Sequence, residues 1–299
     1  MTLELEEARP LDQDDEQIAT ELRKLLGPAA MSRVSEDMWY RIVRGGRCFT
    51  SKRAERSAKM IQEQLQWRAQ NGVDQILSRN IPDDKLFHEC WPTMFYGKDK
   101  WGHVIMVERL QDMHGAYLRA HMSDEDIVLH RTQVMEALQA EKKRLSKKLG
   151  HRVYKHIVIF DMSSLSMSDF SKSTRTLINH LVKLSSDQYT ETLWHMYIIN
   201  APFVFRAVWQ AVKAFVEPDT IRKIKFTGGK YVDAMLVDGI PLSSLPERFG
   251  GSHSGESAKD LVERIRANEH SEALPFRIEG KDKVQLDQPC SKRAVLVGA

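Results

Sequence analysis

A carboxylate, a threonine and several ammonium and guanidinium groups flank one apolar stretch of the chain. Glu191 stands just before the strand-like run Trp194–Asn200. Thr220, Arg222, Lys223 and Lys225 follow Pro218. A carboxylate and an ammonium facing one concave site can hold a polyhydroxyl ring and its phosphate, with lysine acting as a point charge on phosphate oxygen. The same residues also read as solvated surface charges. Catalytic patterns are missing. There is no G-x-x-x-x-G-K-S/T loop, no G-x-G-x-x-G and no H-E-x-x-H. Gly251-Ser-His-Ser-Gly255 carries His253 where a nucleophile elbow needs serine. His151, His156 and His195 lie in or beside strands and read as packing or hydrogen-bonding residues. The chemistry suggested is recognition. Neither an enzyme activity nor a metal site nor a cofactor is expected.

The element between the flanking charges is Phe203–Val216. Its polar residues Arg206, Gln210 and Lys213, with Glu217, are spaced by 4, 3 and 4 and form one helical stripe. The remaining surface is built from Phe203, Phe205, Val208, Trp209, Val212 and Phe215. So narrow a polar stripe suits a core helix of an α/β domain, or a helix that lines or gates a lipid cavity. Pro202 fits its first turn, and Pro218 is expected to end it.

The rest of the chain supplies the scaffold. Short helices are expected from Glu16 to about Leu26, after Ser35, and from Ser51 to Asn71. Beyond residue 85, strands at 103–108, 153–160, 194–200 and 224–226 alternate with long helices at 124–149 and 169–186. That alternation predicts an α/β fold with a largely parallel sheet. Four segments are expected: an acidic, disordered start at 1–16, a helical unit at 17–84, an α/β domain at 85–252, and a tail at 253–299 with a helix at Ala258–Ala267. The start holds seven acids in sixteen residues and resembles no secretory or mitochondrial leader.

Totals narrow the function classes. With 44 basic and 41 acidic residues among 299, nucleic acid is not the expected partner. No apolar run reaches the roughly 18 residues that span a bilayer. Cys48, Cys90 and Cys290 are scattered and match no metal spacing, which suits a reducing, cytosolic compartment. The basic run Lys142-Lys-Arg144, Lys147-Lys148 and Arg152 suits either an exposed helix end or contact with anionic headgroups.

Several stretches together resemble the CRAL-TRIO lipid-binding family, most closely its Sec-fourteen-like phosphatidylinositol/phosphatidylcholine transfer proteins. They are Leu22-Arg-Lys-Leu-Leu26, Trp67-Arg68, Gly97–Glu108, Ile159-Phe-Asp-Met162, Tyr197-Ile-Ile-Asn-Ala-Pro-Phe203, Phe215-Val-Glu-Pro-Asp-Thr220 and Leu245-Pro-Glu-Arg-Phe-Gly-Gly251. The resemblance covers about residues 20 to 252. It implies a helical unit packed on an α/β domain whose sheet floors a one-lipid pocket, with Phe203–Val216 as the gate helix. It places Glu191, Thr220 and Lys223 on the family's inositol-headgroup residues, and either Arg44 or Arg47 on its N-terminal arginine. It implies bound phospholipid as cargo rather than a cofactor. The implied ligands are phosphatidylinositol and a second phospholipid or hydrophobe. The implied protein is a monomer that visits Golgi, endosomal or other membranes from the cytoplasm and presents its lipid to a phosphoinositide kinase. Carriers of a sterol, tocopherol or retinoid, or a lipid-sensing scaffold, are the alternatives. Choline-binding members carry small hydroxyl residues on the strand before Asp161, where this chain has His156 and Val158.

Overall fold

The computed structural model describes residues 5–49, 51–164, 172–203, 205, 209–210, 213–216 and 218–273. Helices α1 (Gln13–Met31), α2 (Glu36–Gly45) and α3 (Arg53–Asn71) form the N-terminal unit. Their apolar stripes meet around Leu22, Ile42 and Ile61, each fully buried. Ser35 caps α2 by accepting the Met38 N–H at 3.2 Å. The helix expected to end at about Leu26 kinks there instead, because Gly27 adopts φ 69° and ψ 170° and Pro28 starts one further turn.

Residues 5–16 are ordered, contrary to the expectation of a disordered start. Leu5 and Leu11 are buried, Glu6–Ala8 forms a 3-10 turn, and Asp12 caps α1. Composition misleads here because the partners of these acids lie far along the chain. Glu7 meets His103, Tyr154 and Lys155, while Arg47 meets Glu6, Asp12 and Asp15.

After α4 (Asp84–Cys90) come β1 (Thr93–Lys98) and β2 (Val104–Arg109), then α5 (Gly115–His121) and the long α6 (Asp124–Leu149). The chain continues through β3 (His156–Asp161), α7 (Lys172–Lys183), β4 (Leu193–Ile199), β5 (Ile224–Thr227) and the short β6 (Glu256–Ser257). The six strands order as β5-β4-β3-β2-β1-β6. Strands β2 to β5 pair in parallel, and β1 is antiparallel to both β2 and β6. Strands β1 and β6 are not among the strands expected from the sequence.

Alternation divides the sheet's two faces. Ile105, Val107, Ile157, Ile159, Tyr197 and Ile199 pack on one side against Met235, Ile240, Leu245 and Phe249. Met106, Val158, Met196 and Ile198 turn to the other side, where α6 and α7 supply Val134, Leu138 and Leu177. The C-terminal helix runs Ala258–Ala273, longer than predicted. Its Leu261, Val262 and Ile265 join the core beneath α6, so this part of the tail belongs to the body of the protein.

Candidate functional site

The second face of the sheet opens onto a cavity of about 2100 Å³. Pockets for small molecules usually enclose about 300–1,000 Å³. Met106, Val158, Phe160, Met196 and Ile198 form the sheet wall, and Leu177, Leu181, Phe205 and Trp209 face it from the helical side. Of the predicted gate residues, Phe205 is buried with Met162 and Ile198. Trp209 meets the ring of Phe226 edge-on at 5.0 Å. Phe203 is 80 % exposed and does not line the cavity. Val208, Val212 and the side chain of Phe215 lie outside the described residues.

One end of this cavity is polar. Lys223 donates from Nζ to Glu191 Oε2 at 2.9 Å. Thr220 lines the same cavity. Pro218 opens the short helix Pro218–Lys223. Its fixed φ suits a first helical position, and the i, i+3 spacing then puts Thr220 and Lys223 on one face. Glu191 sits in a tight left-handed turn at φ 58°. Arg41 holds that turn by donating to the Thr190 carbonyl at 2.6 Å, while the Thr192 hydroxyl donates to the Tyr189 carbonyl at 2.7 Å. Gly45 leaves room for Glu191, since a Cβ there would stand 2.8 Å from Glu191 Cγ.

Both candidate arginines line the cavity, and both are engaged. Arg44 donates to the Tyr154 hydroxyl at 3.1 Å and to the Pro10 carbonyl at 3.3 Å. Arg47 is clasped by Glu6, Asp12 and Asp15. Lys155, not among the residues the sequence singles out, lines the same end and is 4 % exposed, with Nζ 3.3 Å from Glu6 Oε2. No spacing rule marks it, because it reaches the site from the bend leading into β3.

Behind this end lies a buried charged triad. His103 holds Asp99 through Nδ1 at 2.7 Å and Glu7 through Nε2 at 2.6 Å. Burial alone would lower the His103 pKa, but the two carboxylate hydrogen bonds outweigh it and raise the pKa above its ordinary value. Glu7 Oε1 also accepts the N–H groups of Tyr154 and Lys155, at 2.6 and 2.7 Å. Lys142 lies wholly inside the protein and donates to the Tyr154 carbonyl at 2.7 Å. Burial, helped by the charge of Arg41, brings its pKa down to about 7. These contacts fix the backbone just before β3, where His156 and Val158 then face the cavity.

Residues 88–251 match the model of the CRAL/TRIO domain. The chain belongs to the CRAL/TRIO domain family. Among its relatives is phosphatidylinositol/phosphatidylcholine transfer protein SFH9 of Arabidopsis thaliana, 32% identical over 200 residues, which covers 66% of this chain and 34% of that protein. Another is phosphatidylinositol/phosphatidylcholine transfer protein SFH11 of the same plant, 29% identical over 259 residues, covering 81% of this chain and 68% of that one. The chain spans only about a third of the length of SFH9. The crystal structure of Sfh5 shares the fold at a TM-score of 0.57 and 14% identity, covering 88% of this chain and 100% of that one. No helix among the described residues of this CRAL/TRIO protein is long and apolar enough to cross a membrane.

Proposed function

We propose that this protein binds phosphatidylinositol and transfers it between membranes. The observation that carries the reading is the Glu191–Lys223 pair at the polar end of a large cavity whose sheet wall is apolar. Lys223 and Thr220 meet the lipid phosphate, and Glu191 accepts from inositol hydroxyls. Arg47 joins them by exchanging Glu6 and Asp12, both partly exposed, for the headgroup. Acyl chains lie along the sheet wall, where each buried methylene contributes roughly 0.8 kcal/mol. Phe203 is exposed beside the inward-facing Phe205, which suits contact with a bilayer when the lid moves. The chain works as a monomer, visiting Golgi or endosomal membranes from the cytoplasm and presenting its lipid to a phosphoinositide kinase. The similarity to phosphatidylinositol/phosphatidylcholine transfer proteins supports this reading.

The test is transfer of labelled phosphatidylinositol between vesicle populations. Lys223→Ala and Glu191→Ala are expected to lower the transfer rate at least tenfold while leaving the melting temperature within a few degrees. Transfer at the original rate in both variants would refute the site.

A further inference from the structure

The turn between β1 and β2 gathers one surface around itself. His151 Nε2 donates to the Trp101 carbonyl at 3.1 Å. Gly102 lies against the Leu149 side chain at the end of α6. Lys100 donates its backbone N–H to the Gly239 carbonyl at 2.9 Å. The Lys98 carbonyl accepts from the Ser244 hydroxyl at 2.8 Å. The turn thus joins the end of α6, on one side of the sheet, to residues 236–244 on the other.

Two kinds of side chain are left on this surface. Leu149, Leu236, Leu242 and Val237 are exposed, Val237 to 84 %. Lys100, Lys147 and Lys148 are exposed as well and make no ion pair among the described residues. Arg144 and Arg152, by contrast, are paired with Glu141 and Glu36. Lys98 senses the positive field: burial lowers its pKa first, and, against the pull of Glu141, the charges of Lys148 and Arg144 lower it further. A helix end attracts cations through its dipole. That accounts for Lys147 and Lys148, but not for Lys100, which lies over the Trp101 ring at 4.2 Å, nor for four exposed aliphatic side chains. Aliphatic side chains protruding among unpaired lysines match an anionic bilayer. The aliphatic groups enter the acyl boundary, and the long lysine stems keep the ammonium groups at the lipid phosphates.

Strands β2 to β5 run parallel, so their starts share one end of the sheet. The β1–β2 turn and Leu149 precede β2 and β3, whereas Phe203 follows β4. A six-residue strand, about 20 Å long, stands between them. We propose that the β1–β2 turn, with Lys100, Lys148, Leu149 and Val237, is a membrane-docking surface for anionic bilayers that works independently of Phe203 at the other end of the sheet. It goes beyond the cargo reading and does not rest on it.

Co-sedimentation of the full chain with vesicles tests this. Vesicles of phosphatidylcholine alone are compared with vesicles in which phosphatidylserine replaces part of it. One lysine near an anionic surface contributes about fivefold in affinity, so three should favour the anionic vesicles by about a hundredfold. Added salt should erase most of that preference. Lys100→Gln combined with Lys148→Gln should leave only about fivefold of it. Val237→Ser should weaken binding to both kinds of vesicle severalfold. Phe203→Ser should leave the anionic preference intact. All four side chains are exposed, so the melting temperatures should hold. Equal binding of the wild type to both vesicles, an undiminished preference in the double lysine variant, or loss of the preference in Phe203→Ser would each overturn the proposal. Capture of polyglutamate without binding to phosphatidylserine vesicles would assign the surface to an acidic protein and would overturn it too.

Discussion

Removing one carboxylate near the start of the chain is expected to loosen the whole polar end of the cavity. Glu7 is fully buried and accepts three hydrogen bonds: from His103 Nε2 at 2.6 Å, Tyr154 N at 2.6 Å and Lys155 N at 2.7 Å. A hydrogen bond to a charged group contributes about 1.5–3 kcal/mol, but burying the carboxylate offsets much of the sum. Breaking such a buried pair by truncating one partner costs about 3–5 kcal/mol, because the other charge is left behind. Glu7→Ala strands His103 beside Asp99 and leaves two backbone N–H groups without an acceptor. At about 2–4 °C per kcal/mol, the melting temperature should fall by roughly 6–20 °C. Glu7→Gln keeps an acceptor for the amides and should cost about 1–3 kcal/mol. The neighbouring Glu6 carboxylate is 43% exposed, so Glu6→Ala should cost no more than about 1 kcal/mol. Trp194 stacks on His103 at 4.7 Å and provides an intrinsic fluorescence signal for the melts. If Glu7→Ala and Glu6→Ala melted within a degree of each other, the buried clasp would have no energetic weight and the reasoning would fail.

Two further outcomes follow from the same region. The stability contributed by His103 is full below its ordinary pKa of 6.5 and is lost as pH rises through the raised folded value. The Glu7 pKa is pushed up by burial and pulled down further by His103, ending below the ordinary 4.5, so its contribution is full above 4.5 and is lost as pH falls through that lowered value. Thermal melts across pH should therefore plateau between about 4.5 and 6.5 and decline on both sides, and His103→Gln should remove the decline on the alkaline side. Gly45→Ala has a helix-compatible backbone and should leave stability within about 1 kcal/mol. Its Cβ would stand 2.8 Å from Glu191 Cγ, so transfer of phosphatidylinositol should drop severalfold. Unchanged transfer in that variant would mean that Glu191 need not stay where it is.

Elements whose signals are local were legible in the sequence. Helix α6 announces itself with Ser123, whose hydroxyl accepts the Asp126 N–H at 3.1 Å, and ends at Gly150 with φ 73°. Strands β2 to β5 are apolar runs between helices, and β3 and β4 are close to their predicted bounds. What escaped depends on distant partners. β1 contains Gly97 and ends shortly before Gly102, and β6 has two residues, so neither carries a pattern of its own. The ordered start looks like a solvated acidic run until Arg47, His103 and Lys155 are brought to it. The roles open to Arg44 and Arg47 depend on the same folding of residues 5–16 onto α2. Glu191 and Lys223 are 32 residues apart, and their meeting across β4 and β5 was legible only through the family resemblance.

The alternation along β2, β3 and β4 separates two kinds of selection. Ile157, Ile159, Tyr197 and Ile199 hold the fold together from one face, while His156, Val158, Phe160, Met196 and Ile198 line the cavity from the other. A lineage can therefore reshape the cavity wall by changing every second residue without remaking the scaffold. His156 and Val158 occupy two such interchangeable positions. Divergence among relatives of this chain should concentrate on the even-numbered positions of β3, and the odd-numbered ones should record the ancestry they share.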